Sequence, residues 1–153
     1  MKTKSWAQNV KIDQLREQHR QIADLSEDML RAVAVDQPRP VSALRWRLAR
    51  QLFAHLAMED GIFYPMMARC RDPQLMQTAR DFQAEMGGLA SDFKAYMAGW
   101  SDARIAGEWP EFCVQTRAII ARMHRRMERE DRILYPLAEC YAATPVDTLR
   151  KSG

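Results

Sequence analysis

His55-Leu-Ala-Met-Glu59-Asp60-Gly-Ile-Phe-Tyr64-Pro65 and Arg126-Met-Glu-Arg-Glu130-Asp131-Arg-Ile-Leu-Tyr135-Pro136 are two copies of one pattern in a chain of 153 residues. They share Glu-Asp and Tyr-Pro in register and differ at the first position, histidine in one and arginine in the other. Residues four apart on an α-helix project from one face, so His55 and Glu59 can grip a single ion. The apolar residues around them say where that face points. Leu48, Leu52, Leu56, Phe63 and Met66 recur at helical spacing, and His55 and Glu59 fall inside their stripe. A buried, unpaired carboxylate is costly unless it takes up a proton, so the pattern demands a partner, which a metal ion or an arginine would supply.

Working outward, the same periodicity divides the chain into four long helical segments. The first runs from about Asp13 into the early thirties, with Leu15, His19, Ile22, Ser26, Met29 and Val33 on one stripe, and stops before Asp36-Gln-Pro38. The second starts near Ser42, read as an N-cap, and reaches about Arg69, with Pro65 set to kink or loosen its last turns. Asp72-Pro73 announces the third, a capping residue followed by proline at the first helical position. Its stripe is Leu75, Ala79, Phe82, Met86, Leu89, Phe93, Met97 and Trp100, and Gly87-Gly88 is expected to weaken it without ending the periodicity. The fourth begins around Pro110 and turns Phe112, Thr116, Ile119, Ile120, Met123, Met127, Glu130, Leu134 and Leu137 inward. Four amphipathic helices with short connections predict an all-α fold, an up-down-up-down four-helix bundle. The whole of 1–153 reads as one domain, with a short arm at 1–11 and a frayed tail at 144–153.

Composition narrows the function classes. An apolar fraction of 47% with 28% charged residues describes an ordinary globule, and no apolar run approaches the ~20 residues of a membrane span. The opening residues hold no apolar stretch of the secretory kind, and the expected location is the cytoplasm. A net charge of +3 does not call for a nucleic-acid partner. Helix four is rich in arginine, at 117, 122, 125, 126, 129 and 132, but interleaved acids make it a solvated face. Cys70, Cys113 and Cys140 form no C-x-x-C pair and are expected as free thiols. Neither a glycine-rich phosphate loop nor a nucleophile motif appears, so no catalytic residues are assigned.

The inward polar residues are His19, His55, Glu59 and Glu130. Their arrangement resembles the hemerythrin-like HHE cation-binding family over nearly the whole chain. The resemblance implies a lone histidine on the first helix, matched by His19, and His-x-x-x-Glu before an aromatic-proline on the second, matched by His55, Glu59 and Tyr64-Pro65. It also implies Glu-His on the third helix, where this chain reads Glu85-Met86. A histidine and a bridging carboxylate are implied on the fourth, where it reads Arg126 and Glu130. His124-x-x-x-Glu128 has the right internal spacing but lies two residues out of register with Tyr135-Pro136. Glu128 falls roughly 135° from the centre of the apolar stripe and Glu130 within about 30° of it, so His124 and Glu128 are read as flank residues unless a π-bulge restores the register.

The family's di-iron centre thus keeps one half-site and loses the other. The resemblance implies a metal-binding protein holding at most one iron at His19, His55, Glu59 and Glu130, with another divalent metal also compatible. Its role would be sensing or handling iron, O2, NO or redox stress. The alternative is a metal-free helical bundle acting as an interaction or regulatory module, its former site closed by Arg126 and Met86. Protein partners and oligomeric state stay open.

Overall fold

A computed structural model describes residues 11–144, so the expectations for the arm and for the tail beyond Thr144 lie outside the described residues. The fold is all-helical, with no strand among the described residues. Helix α1 spans Ile12–Ala32, and α2 spans Ser42–Met58. A π-helical turn, Glu59–Phe63, carries α2 into α3, Tyr64–Met67. After a turn come α4 (Pro73–Met86), α5 (Leu89–Gly99) and the short α6 (Asp102–Gly107). Helix α7 (Trp109–Arg129) runs through a second π turn, Glu130–Leu134, into α8 (Tyr135–Ala143). Contacts between α1 and α2, α2 and α5, α5 and α7, and α7 and α1 close a ring of four helical columns.

The four expected segments are present, with three corrections. Ser42 is the first helical residue, and its predecessor Val41 takes the cap position with no side-chain cap bond. Helix three is broken in two at Gly87-Gly88: the apolar stripe continues, but the helical hydrogen bonding does not, because two adjacent glycines leave the backbone least committed to the helix. The third correction is one of register. Met67 rather than Met66 is fully buried, and Ala138 rather than Leu137. A π turn holds one residue more than an α turn, so every inward position after it moves along by one.

Each π turn lies just ahead of a proline. Tyr64 N–H bonds the Glu59 carbonyl and Tyr135 N–H that of Glu130, the five-residue π spacing. In an unbroken α-helix the rings of Pro65 and Pro136 would press on carbonyls four residues back and leave them without a donor. The wider turn absorbs that conflict locally. Asp72 behaves as expected of a cap, accepting from the N–H groups of Gln74 and Leu75. At the other end of the molecule the buried Arg45 donates to the carbonyls of Met97 and Trp100, satisfying the open C-terminal end of α5.

Two apolar clusters fill the interior. One gathers Ile22, Leu52, Phe93, Phe112, Ile120 and their neighbours; the other gathers Leu15, Phe63, Tyr64, Leu75, Phe82, Leu134 and Tyr135. His19, Glu59 and Glu130 are buried in the chain intervals between the two sets, and His55 and Arg126 lie one residue inside the edge of the first.

Candidate metal centre

The helical stripes deliver His19 from α1, His55 from α2, Glu59 from the first π turn and Glu130 from the second. One potential ligand atom from each lies within 4.8 Å of the others, and all four residues are buried. The Nε2 atoms of His19 and His55 face each other at 3.0 Å. Glu59 Oε1 contacts His55 Nε2 and lies 3.7 Å from His19 Nε2, while Glu130 Oε1 lies 3.5 Å from the same nitrogen.

The outer ring nitrogens decide what the inner ones can do. His19 Nδ1 donates to Asp131 Oδ1 at 2.9 Å, and His55 Nδ1 donates to Gln18 Oε1 at 2.7 Å. The Gln18 amide is itself oriented, because its nitrogen donates to the Met58 sulfur. With a proton on each Nδ1, a neutral ring has only a lone pair at Nε2. Two such lone pairs 3.0 Å apart repel unless a cation stands between or beside them. The carboxylates repeat the demand: Glu59 Oε1, Glu59 Oε2 and Glu130 Oε1 are buried and accept no hydrogen bond. These orphaned acceptors and two imidazole lone pairs converging on one point fit a divalent metal with mixed nitrogen and oxygen ligands.

Without a metal, protons must supply the positive charge. Burial opposes charge on His19, but its bond to Asp131 and the nearby Glu130 and Glu59 carboxylates outweigh that and push it up to about 11. Burial and the adjacent Glu59 carboxylate push Glu130 up to about 8. Glu59 is held well below the usual range despite its burial, by its contacts with Glu130, His19 and His55. The two carboxyls are thus pushed in opposite directions, Glu59 toward the charged form and Glu130 toward the protonated one. Burial, and then the nearby carboxylates, raise the hydroxyls of Tyr64 and Tyr135 above their ordinary range, so both remain proton donors. Tyr64 donates to Glu130 Oε2 at 2.7 Å, and the Tyr135 hydroxyl lies 3.2 Å from His19 Nε2.

Beside this group lies Arg126, which is 2% exposed. Its Nε donates to Glu130 Oε2 at 3.2 Å, Nη2 to Asp60 Oδ1 at 2.7 Å and Nη1 to the Met86 carbonyl at 3.3 Å. The Tyr64 ring lies 5.2 Å from the guanidinium carbon. Helix α7 is thus not a uniformly solvated basic face: Arg126 has turned inward to the carboxylates. His124 and Glu128 are not in the ligand group. Glu128 is exposed and pairs with Arg132 at 3.1 Å, and His124 lines a cleft on the outer side of His19, the second π turn beginning only at Glu130 and leaving the register of α7 unchanged.

Sequence reasoning found the four inward side chains and the arginine but not the groups that orient them. Asp60, Asp131, Tyr64 and Tyr135 occupy two of the shared positions of the repeated motif, and their recurrence in register was the available signal. Gln18 carries no such signal, being one of several polar residues on α1.

The family model for the hemerythrin HHE cation binding domain matches residues 10–138. Searches among curated proteins and among solved structures find no match. With the family model spanning all four helical columns and the inward histidines and glutamates gathered at one point, the chain belongs to the hemerythrin HHE cation-binding family.

Proposed function

We propose that this protein binds a single metal ion, iron foremost, through His19, His55, Glu59 and Glu130, and acts in sensing or handling iron, O2, NO or redox stress. In this reading the chain is one cytoplasmic domain whose four helical columns run up-down-up-down. The observation that carries it is the pair of Nε2 atoms 3.0 Å apart, their outer nitrogens held by Asp131 and Gln18, beside buried carboxylate oxygens with no donor. Bound iron would supply a one-electron redox couple and open positions for a small ligand. The chain's own residues orient the ligands, hold Glu130 through Tyr64, and keep the centre dry within the bundle. No helix among the described residues is long and apolar enough to cross a membrane.

The competing reading, a metal-free interaction module, draws support from one half of the centre, where Arg126 already neutralises the carboxylates. The other half has only protonation of its own histidines to offer. Metal content after anaerobic reconstitution with Fe2+ separates the two. One iron per chain is expected, lost in His55→Ala and Glu59→Ala and retained in His124→Ala. No uptake of Fe2+, Co2+ or Zn2+ by the folded parent would leave the interaction module as the reading.

A further inference from the structure

The two halves of the centre are built alike around different cations. Each glutamate of the repeated motif is followed by an aspartate that binds a cationic or ligating group: Asp131 takes His19, and Asp60 takes Arg126. Each tyrosine turns its hydroxyl inward, Tyr135 toward His19 and Tyr64 onto Glu130. Both glutamates sit at the start of a π turn and are fully buried. The elements that hold one cation site are therefore present twice, and in the second copy the guanidinium stands among them with three donated bonds.

We infer that Arg126 is a resident cation occupying a second metal position, so that the chain is restricted to one metal while the second site's carboxylates and orienting groups stay intact. Glu130 is then shared between the two halves, with Oε2 taken by Arg126 and Tyr64 and Oε1 left for the first. A guanidinium suits this task because it cannot lose its proton and its fork of donors spans Glu130, Asp60 and the Met86 carbonyl at once. A lysine is a point charge and could not reach all three. Met86 completes the closure: it ends α4 and offers the guanidinium its carbonyl. This inference rests on the metal reading for the first half-site but is testable apart from it.

The test replaces the two closing residues with histidine and counts Co2+ per chain by titration, with circular dichroism as the check of folding. Met86→His/Arg126→His should take up one more ion than the parent. Adding His55→Ala to that double variant should remove only the ion of the first half-site, leaving one. If the parent binds none and the double variant binds one, the metal reading fails while the inference stands. A folded double variant that binds no more than the parent overturns the inference, as does a parent that binds two. Should the double variant not fold, Arg126→Ala decides by thermal melting. It should melt about 10 °C below the parent, and Co2+ should raise its melting temperature by more than it raises the parent's. No extra gain would overturn the inference.

Discussion

Asp131 and Gln18 each hold the Nδ1 proton of one histidine, and by doing so they decide that the opposite nitrogens meet as acceptors. Removing such an orienting group from a metal site typically lowers affinity about 10–100-fold. Asp131→Ala is therefore expected to weaken Co2+ binding by about that factor without changing the stoichiometry, as read by competition against a chelator of known affinity. An unchanged affinity would mean that the aspartate does not set the ring's tautomer. His124→Ala, by contrast, should leave affinity within about twofold of the parent. At this scale the sequence disclosed what helical phase alone controls: His19, His55, Glu59 and Glu130 share buried stripes, and Glu128 does not. The orienting contacts were hidden because they join different helices, and a hydrogen bond such as His19 to Asp131 depends on how α1 lies against the turn after α7.

At the scale of the elements, starts and stops written in local chemistry were legible and breaks in hydrogen bonding were less so. Asp72-Pro73 caps α4 as its composition requires, and Asp72→Ala should cost about 1 kcal/mol in urea unfolding. The π turns were not foreseen, because a proline inside a helix announces trouble without saying whether the chain kinks or widens. Their effect is the one-residue slip that buries Met67 and Ala138 in place of Met66 and Leu137. Pro65→Ala would remove the ring that holds the first turn open and return it to α spacing with no residue lost, rotating Tyr64 by about 100°. The Tyr64–Glu130 bond would be lost, and a drop in melting temperature together with weaker metal binding is expected; a parent-like melt and parent-like binding would show the π turn to be incidental. The helix break at Gly87-Gly88 has a simpler test. Gly88 has a negative φ, and a Cβ there would make only an ordinary contact with Asp92 Oδ2 at 3.8 Å, so Gly88→Ala should raise stability by about 0.4–1 kcal/mol in urea unfolding.

For the whole molecule, the arrangement of interruptions matters more than any one of them. Both π turns and the Gly87-Gly88 break occur where the chain passes between the two apolar clusters, and His19, His55, Glu59, Arg126 and Glu130 lie in or next to those passages. That all-helical layering followed from the apolar stripes, but the division of the core did not, since a stripe of uniform period gives no sign that its upper and lower halves pack separately. A bundle with an ionisable layer across its middle has a built-in plane of weak cohesion. Hydrogen exchange should report it: in metal-depleted protein, amides of α3, α4 and α8 should exchange through openings of lower free energy than those in the middle of α7. Zn2+ should bring the two sets toward a common value. Equal protection in both halves without metal would rule out the divided core. The ion would then serve as a rivet that makes two folding units melt as one, and occupancy would be read out as cooperativity across the length of the molecule.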